Sequence, residues 1–205
     1  MYCYIMFSNK NMQVSEGNSA YHVRAASLAA GFPITTASHV INRFCSSGLM
    51  AIQDIAGQIN MGIIEIGLAI SVESMTVGGD LLKKPFSEEI QQRSQEAIDC
   101  MMPMGQTSEN VSREFGISRQ TQDEFAAESY RRAGVAQAEG WFNDEISPIT
   151  AEVNGNKVTL SKDEGIRSTS YEVLSKPRPV FTKWGDKSTA GNSSQMTDAV
   201  LQCCS

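Results

Sequence analysis

Cys45 lies in the stretch Asn42-Arg43-Phe44-Cys45-Ser46-Ser47-Gly48-Leu49, directly ahead of an amphipathic run. Leu49, Ile52, Ile55, Ala56 and Ile59 recur at helical spacing, which predicts a helix beginning just after the cysteine. A thiol at the start of a helix meets unpaired backbone N–H groups and the positive end of the helix dipole. Both favour thiolate, the form that attacks carbonyl carbon. Ser46, Ser47 and Gly48 are small enough to let a substrate and a second stretch of backbone approach the sulfur. The same spacing also fits a small buried hydrophobe, which is how most cysteines outside disulfides are used.

Other chemistry-bearing residues are sparse. The two histidines are His22 and His39. His22 falls in a helical pattern with Val23, Ala26 and Ala30 and reads as a packed or surface residue; His39 sits in the strand-like approach to Cys45 and reads as structural. Neither histidine combines with the scattered cysteines into a metal-ligand spacing, so no metal site is expected. The five cysteines are odd in number and lack CxxC pairs, which points to reduced thiols. A net charge of -6 and pI near 5.0 give no support for nucleic-acid or anionic-membrane binding. No apolar segment has the length and purity of a membrane span, and the apolar start Met1–Phe7 is too short and lacks the basic flank of a secretory signal.

The elements that must carry Cys45 read as α/β. A helix is predicted over about 20–30, stopped by Gly31-Phe32-Pro33. A strand over 34–42 leads into Cys45 and its helix. The run 63–72 is nearly continuous apolar sequence, as in a strand buried on both faces. Strand, helix, strand makes a βαβ unit with the cysteine at the strand-to-helix turn. From Gly78-Gly79 the chain turns polar and reads as loop and surface helix through Ala97. Ser118 is the expected N-cap of a helix bearing Phe125, Ala126, Tyr130 and Ala133 and ending near Gly140. Ala151–Leu160 alternates around Asn154-Gly155, a hairpin signal.

Cys-Ser-Ser-Gly-Leu after Asn-Arg resembles the nucleophile motif of the thiolase family, and further matches follow in order. These are Gly67–Met75, Pro103-Met104-Gly105, Thr107–Val111, Ser118-Arg119, Gln122-Asp123, Phe125-Ala126, Asp144–Ile146, Asp163–Gly165 and Thr189-Ala190-Gly191-Asn192. The resemblance covers roughly 19–198 and is nearest to the peroxisomal 3-ketoacyl-CoA thiolases, particularly fungal ones. Pro103, where many thiolases carry His, points the same way. The first 14 residues and the stretch after Asp198 do not resemble the family.

What the resemblance implies is specific. The fold would be an incomplete N-terminal half: βαβ elements of a mixed five-stranded sheet with helices, plus an inserted α+β loop domain. The parts would be core at 1–77, loop domain at 78–186, and a return to the core at 187–205. Cys45 would be the catalytic nucleophile. Met104 matches a position lining the acyl pocket, although it also fits ordinary apolar packing. Ser194 matches a serine near the pantetheine arm, although Ser193 and Ser194 also fit simple turn residues. The reaction would be thiolytic cleavage of a 3-ketoacyl-CoA, with coenzyme A as co-substrate and no bound cofactor. The expected partners are acyl-CoA, coenzyme A, and a second copy or a complete thiolase subunit, and the expected compartment is the peroxisome. The family's Asn-Glu-Ala-Phe, Gly-His-Pro and Cys-x-Gly motifs do not occur among the 205 residues. Cys3, Cys100, Cys203 and Cys204 do not match its second catalytic cysteine. The expectation is therefore an inactive chain on its own, the alternative being a non-catalytic remnant that binds acyl-CoA or pairs with a complete subunit. A ketoacyl synthase also places Cys at a helix start, but the loop-domain motifs argue against it.

Overall fold

The computed structural model describes residues 3–8, 19–75, 86–195 and 197–204. In chain order the elements are β1 (Cys3–Ser8), α1 (Ser19–Ala29), β2 (Ala37–Ile41), α2 (Ser47–Asn60), β3 (Ile66–Ser74), α3 (Glu88–Arg93), α4 (Gln95–Asp99), α5 (Met104–Glu114), α6 (Arg119–Ala138), β4 (Ile149–Val153), β5 (Asn156–Leu160), α7 (Tyr171–Leu174) and β6 (Asp198–Cys204). They divide into two units, Met1–Lys84 with Met196–Ser205, and Pro85–Gln195. Gly78 and Gly79, where the sequence reading opens its second part, lie outside the described residues.

The first unit is a mixed sheet of order β2-β1-β3-β6. β1 pairs in parallel with β2 on one side and β3 on the other; β6 runs antiparallel to β3, with Leu68–Ser74 opposite Asp198–Cys204. Among the described residues the sheet has four strands, within the five-stranded plan expected from sequence. The βαβ unit formed by β2, α2 and β3 is present, but its two strands are separated by β1. That strand comes from the opening segment, which sequence reasoning set apart.

Helix α2 lies close on β3 because two positions lack side-chain bulk. A Cβ on Gly67 would sit 2.4 Å from Ile55 Cγ2, and one on Gly48 would sit 3.2 Å from the Ser71 side chain. The packed cluster is Ala51, Ile55, Ile64 and Ala69, flanked by Ile41, Ile52 and Ile59. The buried stripe of α2 is Ser47, Ala51 and Ile55, at four-residue spacing. Leu49, counted on the apolar face by periodicity, is 71% exposed, and Ala56 is also exposed. Helix α1 buries Val23 and Ser27, and the Arg24 guanidinium donates to the carbonyls of Ile34 (2.6 Å) and Thr36. That tie holds the turn leading into β2. The turn takes up residues expected in the strand, so β2 starts at Ala37.

The second unit is knitted by buried polar groups. Glu109 on α5 is 2% exposed and accepts from the backbone N–H groups of Lys187 (3.1 Å) and Ser188 (2.7 Å). Asp123 on α6 is fully buried and accepts from Arg119 Nε (2.6 Å) and Asn192 Nδ2 (2.8 Å). Buried carboxylates are tolerated only when paired in this way, and the pairing locks the segments together. It also explains why 187–195, expected to return to the core, belongs to this unit: its backbone satisfies Glu109, and Asn192 satisfies Asp123. The boundary therefore falls after Gln195, whereas the sequence reading places it at 186/187.

Helix α6 begins as expected, with Ser118 Oγ accepting from Thr121 N at 3.0 Å. On its outer face Glu128 pairs with Arg131 and Arg132, whose hydrogen bonds hold its carboxyl down to about 2. Phe125 is exposed on this helix. The hairpin β4–β5 turns at Asn154 (φ 52°) and Gly155 (φ 79°), both left-handed, as the Asn-Gly pair predicts.

Candidate active site

The chain leaves β2 at Ile41 and enters α2 at Ser47, and the intervening turn carries Cys45. Hydrogen bonds hold it from several sides. Asn42 Oδ1 accepts from Phe44 N at 3.0 Å. Ser46 Oγ donates to the Arg43 carbonyl at 2.9 Å. Ser47 Oγ accepts from Arg43 N and donates to the Phe44 carbonyl, both at 2.6 Å, and Ser47 is fully buried. Phe44 takes φ 51°, a left-handed conformation that is costly for a bulky side chain. Such a residue persists only where its surroundings over-determine it, and such sites cluster around chemistry.

Cys45 itself is exposed. A thiol presented to solvent immediately ahead of a helix N-terminus has the setting in which cysteine nucleophiles operate. His22 is exposed on α1, and His39 is half-buried in β2, where burial lowers its pKa against the pull of the Asp54 carboxylate. Cys100 is exposed at the end of α4, and Cys203 stands opposite Ala69 in the β6–β3 ladder. No group of three or more His, Cys, Asp or Glu suited to a metal occurs among the described residues.

In the second unit Met104 is the first residue of α5 and is 70% exposed, so packing inside this unit does not account for it. Ser194 is exposed and lines a cleft of about 290 Å³. One wall of the cleft is α6, through Ala126, Ser129, Tyr130 and Ala133; the other is 191–195, with Asp163, Gly165 and Ile166 closing an end. Met104 does not line this cleft. Sequence reasoning missed two kinds of residue. Ser47 was read as merely small, and Asp123 and Asn192 as motif markers. Their hydrogen bonds show that they anchor the Cys45 turn and the cleft wall respectively.

The family model described as "Thiolase, N-terminal domain" matches residues 4–201, a span that takes in most of the opening segment set apart by sequence reasoning. The peroxisomal 3-ketoacyl-CoA thiolase of Saccharomyces cerevisiae is 48% identical over 188 residues, covering 90% of this chain and 44% of that protein. Peroxisomal 3-ketoacyl-CoA thiolase A of Mus musculus is 45% identical over 188 residues, covering 89% and 44%. The crystal structure of the dimeric peroxisomal thiolase of Saccharomyces cerevisiae superposes with a TM-score of 0.87 at 43% identity, covering 98% of this chain and 50% of that one. Human mitochondrial 3-ketoacyl-CoA thiolase gives 0.81 at 29% identity, with 98% and 53% covered. The chain thus spans about half the length of the relatives it matches. An exposed cysteine on a strained turn ahead of α2, a mixed sheet behind it and a match over nearly the whole chain together show that it belongs to the thiolase family, through that family's N-terminal domain.

Proposed function

We propose that the protein supplies the nucleophile of a thiolase-type acyltransferase, an acetyl-CoA C-acyltransferase acting on 3-ketoacyl-CoA in fatty-acid β-oxidation. The observation that carries this reading is the exposed Cys45 on a turn anchored by buried Ser47, in a chain of the thiolase family. Cys45 thiolate attacks the 3-keto carbon. The bond between C2 and C3 then breaks, the enolate of acetyl-CoA takes up a proton and leaves, and the shortened acyl group stays on sulfur as a thioester. Coenzyme A thiolate attacks that thioester, forming the shortened acyl-CoA and returning Cys45 as thiolate. This is covalent catalysis in two half-reactions. Ser194 and the cleft beside it are the proposed contact for the pantetheine arm, and Met104 for the acyl chain. The names of the relatives carry the proposal of a peroxisomal location.

The departing enolate and the tetrahedral oxyanion need proton-transfer groups and oxyanion donors. The Gly-His-Pro and Cys-x-Gly motifs that supply them in the family are not among the 205 residues. That absence favours a second reading for the chain assayed alone, as a non-catalytic unit that binds acyl-CoA or pairs with a complete thiolase subunit. The deciding experiment is coenzyme-A-dependent cleavage of acetoacetyl-CoA, run on the protein purified from its source cells and on the 205-residue chain. The proposal expects activity in the first and a rate lower by about 10²–10⁴-fold or more in the second, the usual worth of acid–base groups. No activity in the source protein, with a complete thiolase co-purifying, would favour the second reading.

A further inference from the structure

We infer that Asn192, held by Asp123, is the positioning residue for Ser194, an inference that rests on the proposed contact between Ser194 and acyl-CoA. The Asn192 amide is used at both ends. Its Nδ2 donates to Asp123 Oδ1 at 2.8 Å and to the Lys187 carbonyl at 3.0 Å, while its Oδ1 accepts from Thr189 N at 2.7 Å. Thr189 Oγ1 accepts in turn from Gly191 N (3.2 Å) and Asn192 N (3.3 Å). The segment 187–192 is thereby closed on itself and pinned to α6 at Asp123.

The far side of the pin is itself tied to its surroundings. Asp123 is fully buried, and its other oxygen accepts from Arg119 Nε, whose guanidinium also donates to the carbonyls of Leu174 (3.0 Å) and Pro177 (3.1 Å). Ala126, Tyr130 and Ala133 follow Asp123 at helical spacing, so they share its stripe of α6 and continue from it as the wall of the cleft. The opposite wall is 191–195, which begins at the pinned residue and carries Ser194. The Asp123–Asn192 bond therefore sets the separation of the two walls. Only a side-chain amide of this length both accepts from Thr189 N and donates to a carboxylate and a carbonyl. Aspartate at 192 has no proton to donate, and alanine has neither function.

The test uses the 205-residue chain in four forms: wild type, Asn192→Ala, Ser194→Ala, and the exchange Asp123→Asn with Asn192→Asp, which restores a donor–acceptor pair with the roles reversed. Amide hydrogen exchange is followed at 187–195 and in α5 and α6, and acetoacetyl-CoA binding is measured calorimetrically where circular dichroism shows every form folded. Asn192→Ala is expected to speed exchange at 189–195 with α5 and α6 unchanged, and to weaken binding roughly tenfold, about the worth of a hydrogen bond to a charged group. The exchanged pair should recover part of both. Unchanged exchange at 189–195 overturns the inference, and so does exchange that rises equally through α5 and α6, or unchanged binding where Ser194→Ala weakens it. If wild type itself fails to bind, the reading of Ser194 fails and the positioning of Ser194 for acyl-CoA falls with it; the exchange pattern then reports separately whether the pin holds.

Discussion

Ser47 shows how much of the setting of Cys45 is carried by a neighbour two residues on. Its hydroxyl bridges Arg43 N and the Phe44 carbonyl and so spans the turn on which Cys45 is presented. The cysteine was legible in the sequence because a short motif surrounds it. The serine's role was not, since nothing local says that the first helical residue faces inward. Asp123 and Asn192 both stand in recognisable motifs, but they lie 69 residues apart and their bond is visible only in three dimensions. His39 gives a prediction at this scale. Burial lowers its pKa below 6.5, so the unfolded chain takes up a proton that the folded chain refuses in the window beneath 6.5. Stability is then complete above 6.5 and falls as pH drops through that window. The urea midpoint should decline on acidification from about pH 7 in wild type, and the part of the decline due to His39 should vanish in His39→Gln. Identical pH profiles for the two proteins would contradict this.

Helices α1, α2 and α6 and the hairpin were legible element by element, because caps, stop signals and an Asn-Gly turn are local, whereas α5 and α7 were not read as helices. The two strands at the ends of the chain were not. β1 and β6 have no turn chemistry of their own, and what makes them strands is their pairing with β2 and β3. The sidedness of α2 was half legible. Periodicity found Ile52, Ile55 and Ile59 but added Leu49, which points away, and missed Ser47 and Ala51. Burial of Ile55 against Gly67 is what holds α2 on the sheet. Ile55→Ala should therefore cost about 2–5 kcal/mol, the range for large-to-small core changes, measured by urea denaturation. A loss below about 1 kcal/mol would mean that the close approach at Gly67 contributes little to the unit.

For the molecule as a whole, the first unit exposes Tyr21, Ile34, Phe44, Leu49, Met61 and Ile63, large apolar side chains in a unit with a small core. Apolar surface of this kind favours association. The 205-residue chain should therefore show a sedimentation coefficient that rises with concentration; a single monomeric species at all concentrations would contradict the expectation. Family and fold were legible because the motifs recur in order along almost the whole chain. The allocation of 187–195 was not, since it depends on the buried carboxylates it satisfies.

In the proposed reaction Cys45 carries the acyl group. This is tested most directly by mixing the protein purified from its source cells with acetoacetyl-CoA, quenching with acid and mapping acetyl groups by peptide mass spectrometry. An acetyl thioester is expected on the peptide containing Cys45, and it should disappear when coenzyme A is added before the quench. A Cys45 peptide that stays unmodified while the substrate is consumed would contradict it.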